Sequence, residues 1–137
     1  MSPLLDRDIT YIRDDVKAPL WTMGPVLEFL AEARAESKLL VVGTLSDYSR
    51  SASRVYSSLA RRALRVADKV VFAGPQAKHA LKVRADGLEE RLHAFADVQE
   101  ARSYLDANLR AGDLVLIKGS RTADRMDPLV PASAVPI

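Results

Sequence analysis

The chain has 137 residues, of which 48% are hydrophobic and 28% are charged, a balance typical of a folded domain rather than a disordered segment. The length predicts one domain over residues 1–137. Residues 128–137 contain three prolines and no helical period, which predicts an extended tail. There is no cysteine, and His79 and His93 are the two histidines. This composition excludes disulfides, thiolate metal sites and histidine-rich metal sites, so we predict no metal site.

The net charge is +2, which is too small to predict a nucleic-acid partner. No apolar run approaches the roughly 20 residues of a membrane span, and the N-terminus lacks a signal-peptide pattern. We therefore expect a cytoplasmic protein with neither a nucleic-acid partner nor a membrane partner.

Five segments are predicted to be strands: residues 10–13, 38–43, 69–74, 91–95 and 114–119. The segments 38–43, 69–74 and 114–119 are near-continuous apolar runs that end in glycine, as in strands buried on both faces of a sheet. The segment 91–95 is shorter and alternates, which favours a position near an edge of the sheet.

Helical patterns separate these strands. Residues 22–35 are predicted to be helical with Thr22 as the N-cap, and residues 51–67 place one apolar stripe at helical spacing. A shorter helix is predicted to begin at Pro75, with Gly87 closing that region. Asp97 begins a capping box before a helix over residues 98–109, and Gly112 is predicted to be its C-cap glycine.

Buried strands that alternate with amphipathic helices predict an α/β fold: a three-layer, Rossmann-like open sheet, mostly parallel, with helices on both faces. The sheet has five to six strands, because the tail over 128–137 is either a final extended strand or a loose end. In such sheets the ligand crevice lies beyond the carboxyl ends of the strands.

The two standard phosphate-binding loops are missing from this sequence. No two of the six glycines are separated by one residue, so G-x-G-x-x-G cannot be formed, and no pair fits G-x-x-x-x-G-K-[ST]. The sequence thus argues against an independent NAD enzyme or ATPase.

The loop over residues 118–121 follows the strand with the clearest apolar pattern. Gly119 lets a ligand approach the backbone closely, and Ser120 adds a hydroxyl group. Lys118 and Arg121 offer an ammonium and a planar guanidinium, both suited to a carboxylate or a phosphate. The alternative interpretation is a solvated basic turn without function.

The loop over residues 13–19 follows the first predicted strand. Asp14 and Asp15 beside Lys17 are suited to a substrate amine, a ribose or a metal-bound phosphate, although two aspartates before a proline are also routine loop composition. On the predicted helix 51–67, Arg54, Arg61 and Arg65 share a face. A solvated basic face is favoured there over a nucleic-acid stripe, because no aromatic residues are interleaved.

Residues 113–121, D-L-V-L-I-K-G-S-R, resemble the D-x-V-L-[VI]-K-G-S-R segment of the Mur ligase C-terminal domain, closest to the MurF-type branch. Residues 94–101 resemble the F-x-D-x-x-E-A stretch of that family, and residues 13–23 take the place of its D-D-x-Y-N-A-N-P-x-S-M segment. The resemblance covers roughly residues 8–127.

The resemblance implies a C-terminal lid domain that binds the amine substrate of an ATP-dependent amide ligase of peptidoglycan biosynthesis and is not catalytic alone. It implies an amino acid or dipeptide as substrate and a central ATPase domain as partner, in cis or in trans. That central domain would hold most of the ATP and Mg²⁺, so no cofactor is expected to bind tightly here. The substrate-side residues that it implies are Lys118, Gly119, Ser120, Arg121 and Asp47, and the nucleotide-side residues are Asp14, Asp15 and Lys17.

Two departures from the family pattern point to an amine substrate other than that of MurF. Lys17-Ala18-Pro19-Leu20 replaces Asn-Ala-Asn-Pro, and Gly43-Thr44-Leu45 replaces the family's G-D-M loop. The alternative hypothesis is a free-standing Rossmann-like module that binds a small anionic ligand or a protein partner without catalysis.

Overall fold

The computed structural model describes residues 3–84 and 88–137, which form one sheet of seven strands in the order β5-β4-β3-β6-β2-β1-β7. Strands β2 to β6 pair in parallel, whereas β1 pairs antiparallel with both β2 and β7. The strands are β1 (Pro3–Asp6), β2 (Ile9–Asp14), β3 (Ser37–Val42), β4 (Lys69–Ala73), β5 (Leu92–Phe95), β6 (Asp113–Lys118) and β7 (Val135–Pro136).

Helices cover both faces of this sheet. The α-helices are α1 (Met23–Glu32), α2 (Ala52–Ala63), α3 (Val98–Asn108) and the single turn α4 (Arg121–Asp124), and the 3₁₀ helices are Leu20–Thr22, Ala77–Val83 and Asp127–Leu129. Buried side chains of α1, α2 and the 3₁₀ helix Ala77–Val83 pack on one face, and those of α3 pack on the other. Successive side chains of a strand point to opposite faces, so β3, β4 and β6 contribute to both cores.

The predicted fold class is confirmed, with seven strands in place of five to six. The five predicted strands are present as β2 to β6, and β5 lies at the predicted edge position. Strand β1 was missed, because its connection to β2 passes through Arg7 and Asp8 at positive φ and carries no glycine signal. The tail contains the end of the 3₁₀ helix Asp127–Leu129 and the two-residue strand β7.

Several predicted helix ends need correction. The segment after Pro75 forms the 3₁₀ helix Ala77–Val83, and Gly87 lies outside the described residues. Thr22 precedes α1, but its hydroxyl donates to the Pro19 carbonyl at 2.6 Å and does not cap the helix. The Asp97 cap is confirmed, because its carboxylate accepts from the Glu100 amide at 2.9 Å. Gly112 has a φ of +93° but lies in the turn before β6, since α3 ends at Asn108.

The sheet changes its winding direction between β3 and β6. After β3 the chain runs to α2 on one face, and after β6 it runs to Met126 and Leu129 on the opposite face. Open α/β sheets bind ligands at the carboxyl ends of strands beside such a switch point. The loops after β2, β3 and β6 therefore form the edge of the sheet at which a site is expected, and we refer to it as the carboxyl edge. Within the described residues, no helix is long and apolar enough to cross a membrane.

Candidate functional site

An ion-pair network fixes the loop that follows β2. Arg13 donates through Nε and Nη2 to both oxygens of Asp15, at 3.1 and 2.7 Å, and through Nη2 to Asp127 at 2.7 Å. The guanidinium of Arg13 holds the pKa of Asp127 below its ordinary value, and the hydrogen bond to Asp15 is the main cause that raises the pKa of Arg13. Arg13 thus connects the end of β2 to the 3₁₀ helix Asp127–Leu129.

Lys118 is the last residue of β6, and only 2% of its surface is exposed. Its ammonium donates to the Lys17 carbonyl at 2.7 Å and lies 3.2 Å from the Asp14 carboxylate, whose side chain is 34% exposed. A buried charge needs such partners, because its desolvation is costly. Lys118 therefore holds the loop after β2 against the end of β6, and its charge is already shared with Asp14.

Ser120 and Arg121 begin the single turn α4. The Ser120 hydroxyl accepts from the Ala123 amide at 3.3 Å and so caps the turn. The Arg121 amide donates to the Val16 carbonyl at 3.0 Å, which ties α4 to the loop after β2. The backbone of Arg121 is therefore fixed while its side chain is exposed.

Asp124 joins the loops that follow β3 and β6. One carboxylate oxygen accepts from the backbone amides of Thr44 and Ser120, at 2.8 and 2.7 Å, and the other accepts from the Thr44 hydroxyl at 2.7 Å. Arg125 follows in the left-handed region, with a φ of 49°. The chain thus places its own carboxylate at the switch point.

Gly43 and Gly119 lie on either side of this carboxylate. A Cβ atom would lie 2.3 Å from Asp124 Oδ2 at position 43, and 2.9 Å from the same oxygen at position 119. At Gly119, a Cβ would also lie 2.5 Å from Met126 Sδ. The space that the sequence suggested for a ligand above Gly119 is therefore filled by Asp124 and Met126.

An open groove lies at the same carboxyl edge, on the side of the loop after β2. Its lining residues are Arg13, Asp14, Asp15, Val16, Arg121 and Asp127. Arg13 is paired with aspartates, whereas the Arg121 guanidinium makes no ion pair within residues 3–84 and 88–137. The groove thus presents one cation, Arg121, without a direct ion pair in the described part of the chain, although its charge is among the causes that lower the pKa of Asp127.

The predicted site residues are only partly brought together. Asp14, Asp15 and Arg121 share the groove, with Lys118 buried behind Asp14. Lys17 meets Lys118 through its carbonyl, while its side chain is exposed. Asp47 lies on the loop after β3, with a φ of 56° and a hydrogen bond from the Ser46 hydroxyl, and does not line the groove.

The loop that carries Asp47 has its own anchors. Ser46 exchanges backbone hydrogen bonds with the loop after β2, donating to Ala18 at 2.9 Å and accepting from Leu20 at 2.8 Å. The Leu45 amide donates to the Tyr56 hydroxyl of α2 at 2.9 Å, and burial raises the pKa of Tyr56 to about 12. These contacts fix the loops after β2 and β3 relative to each other.

Sequence reasoning missed three residues of this edge: Arg13, Asp124 and Asp127. Arg13 was assigned to the end of a strand and to the loop over residues 13–19 without a role of its own, and Asp127 is 114 positions away from it in the chain. Asp124 accepts from Thr44, which is 80 positions away. No local pattern signals such contacts, although Gly43 and Gly119 at the ends of two buried strands mark where the backbone is approached closely.

The sequence profile of the family described as "Mur ligase, glutamate ligase domain" matches residues 3–121. The UDP-N-acetylmuramoyl-tripeptide--D-alanyl-D-alanine ligase of Treponema pallidum (strain Nichols) is 30% identical over 127 residues. That alignment covers 89% of this chain and 28% of the relative, so the chain spans little more than a quarter of the relative's length.

Solved structures with the same fold include MurF from Acinetobacter baumannii, with a TM-score of 0.77 and 22% identity, covering 93% of this chain and 28% of that one. MurF ligase from Thermotoga maritima in complex with ADP has a TM-score of 0.71 and 20% identity, with coverage of 92% and 28%. A murein peptide ligase from Psychrobacter arcticus has a TM-score of 0.61 and 16% identity, with coverage of 90% and 27%. At these identities the likeness concerns the fold.

Proposed function

Because this chain belongs to the Mur ligase family, as its glutamate ligase domain, we propose that it is the lid domain that binds the amine substrate of an ATP-dependent amide ligase. The chain spans 28% of its relative from Treponema pallidum, so the remaining parts of such a ligase lie in other domains. We propose a central ATPase domain as the partner, in cis or in trans, and a cytoplasmic location, where ATP is available. The domain alone is then not catalytic.

The observation that carries this proposal is the position of Arg121 in the groove. An amino acid or dipeptide has a free carboxylate, and an arginine fork binds a carboxylate through two parallel hydrogen bonds. Arg13 and Lys118 are both engaged by aspartates of the chain. Arg121 is therefore the cation of this groove that we assign to the substrate carboxylate, with Ser120 and Gly119 setting the backbone from which it extends.

We assign the nucleotide side of the site to the loop after β2. Lys17 has an exposed ammonium suited to a phosphate, and the partly exposed carboxylate of Asp14 can accept hydrogen bonds from hydroxyl groups. Asp15 supports this loop through Arg13. The phosphates and Mg²⁺ belong in the proposal to the central domain, because this sequence has neither glycine motif for phosphates.

The test is the Arg121→Ala variant in a ligase polypeptide that contains this chain, with D-alanyl-D-alanine and single amino acids as amine substrates. The loss of a charged hydrogen-bonded pair raises the KM for the amine by about tenfold to a hundredfold. The KM for ATP changes by less than about twofold, since Arg121 contacts the amine substrate in this proposal.

Arg110→Ala is the matched control, because Arg110 is also exposed but precedes β6, at the opposite end of that strand. It should leave both KM values unchanged. An unchanged amine KM in Arg121→Ala removes Arg121 from the site. Hydrolysis of ATP by the purified 137-residue chain would contradict the proposal that a separate central domain is needed for the ATP chemistry.

A further inference from the structure

The net charge of the chain is small, but its basic and acidic residues are very unevenly distributed along the sequence. Residues 48–84 contain nine lysines and arginines and one acidic residue, Asp68, which gives this segment a net charge of +8. The other 100 residues therefore carry −6 together. A charge asymmetry of this size indicates an anionic partner, even where the whole chain is nearly neutral.

The fold brings most of these charges onto one face of the sheet. Helix α2 and the 3₁₀ helix Ala77–Val83 contact each other on that face, and the Lys82 ammonium donates to the Ser53 hydroxyl across their contact. We refer to the exposed basic residues of this segment as the basic surface. They are Arg50, Arg54, Arg61, Arg62, Arg65, Lys78, Lys82 and Arg84.

These charges lack carboxylate partners within the described part of the chain. The ion pairs found in residues 3–84 and 88–137 involve Arg7, Arg13, Arg102 and Lys118, all outside the basic surface. Like charges placed this close repel one another, which destabilises the folded chain. An external polyanion would remove that repulsion.

The other exposed residues of this segment limit the class of partner that the basic surface can bind. Thirteen residues between 49 and 84 are exposed, and those outside the basic surface are three serines, Asp68 and Pro75. Specific protein interfaces have an apolar centre, and single-stranded nucleic acids need aromatic side chains for stacking. The basic surface offers neither of these features.

A planar array of phosphates fits the basic surface better. Two helical elements lying side by side on a sheet form a broad face, and polybasic segments adsorb to anionic lipid through charge without apolar insertion.

We propose that the basic surface adsorbs peripherally to an anionic lipid membrane. The sequence-based expectation of no membrane partner rested on the absence of a spanning segment and of a signal-peptide pattern. Neither observation bears on adsorption by one face. This inference is independent of the proposed ligase function, since the groove at Arg121 plays no part in it.

The test is co-sedimentation of the 137-residue chain with phosphatidylcholine vesicles, prepared with and without phosphatidylglycerol. We expect binding only to vesicles that contain phosphatidylglycerol, and loss of that binding at about 1 M salt, where charges are screened within a few ångströms. The triple variant Arg54→Gln/Arg61→Gln/Lys78→Gln should reduce the partition coefficient by about a hundredfold.

The matched control is Arg7→Gln/Arg102→Gln/Arg110→Gln, which removes the same charge from a groove lined by β2, α3 and the turn before β6. It should bind within about threefold of the unmodified chain, since its residues lie outside the basic surface. Equal losses in both triple variants, or equal binding to both kinds of vesicle, would overturn the proposal. Tighter binding of a DNA duplex than of the vesicles at the same salt would also overturn it, by making nucleic acid the partner. Circular dichroism checks that both variants are folded.

Discussion

The carboxyl edge of the sheet and the basic surface differ in how far their charged side chains are paired. At the carboxyl edge Arg13 bonds two aspartates, Lys118 contacts Asp14, and Asp124 accepts three hydrogen bonds from the chain. The basic surface has no such ion pairs within the described residues. Paired groups fix the positions of loops and contribute to the stability of the fold, whereas unpaired groups remain available to anions from outside. Arg121 resembles the basic surface in this respect although it lies at the carboxyl edge.

The largest expected effect on stability comes from Lys118. Lys118→Ala removes a buried ammonium, leaves the Lys17 carbonyl without its donor and empties the space of the side chain, so the free energy of unfolding should fall by about 3 kcal/mol. Urea denaturation measures it. Lys78→Ala on the basic surface is the control, with an expected change within about 0.5 kcal/mol. Equal decreases in the free energy of unfolding for the two substitutions would contradict the expected difference between the carboxyl edge and the basic surface.

A smaller loss is expected from Asp124. Asp124→Ala leaves the amides of Thr44 and Ser120 without their acceptor, which should lower the free energy of unfolding by about 2 kcal/mol. Asp68→Ala is the comparison in the basic segment, because Asp68 accepts one amide hydrogen bond, from Lys38, in an exposed position. Chemical denaturation of the two variants should give clearly different midpoints. Similar midpoints would show that Asp124 does not hold the two loops together.

The smallest effect concerns Asp127, whose side chain is 79% exposed. Its pKa is lowered by Arg13, so its contribution is present above the unfolded-state value of about 4 and is lost as the pH falls below that value. The difference in Tm between the unmodified chain and Asp127→Asn should therefore shrink between about pH 6 and about pH 3. In an Arg13→Gln background, Asp127→Asn should change Tm little at either pH. A difference that stays constant with pH would contradict the role of this ion pair.

Local patterns predicted most of the sheet. The runs that became β3, β4 and β6 are buried on both faces and therefore almost continuously apolar, which few other structures require. The Asp97 cap was equally local, since its acceptor and donor are three residues apart. These elements are determined by neighbours in the sequence, and so the sequence alone was enough to find them.

The remaining features depend on residues far apart in the chain. Strand β1 exists because it pairs with β2 and β7, and its turn through Arg7 and Asp8 contains no glycine to signal it. Lys118 was predicted to face a substrate, yet burial and Asp14 determine its surroundings. The family motif drew attention to this loop, but it did not indicate which of its cations would pair with an aspartate of the chain.

The close contact of Gly43 and Gly119 with Asp124 has a consequence for where the proposed substrate preference can change. Open α/β domains usually bind their ligands at the switch point between strands. In this chain the Asp124 carboxylate fills that crevice and holds the loops after β3 and β6 together. Substitutions of Gly43, Gly119 or Asp124 would therefore lower the stability of the fold before they changed ligand recognition. Under the proposed function, exposed positions around Arg121, which contribute little to the fold, are where a different amine substrate can be accommodated by mutation or by engineering.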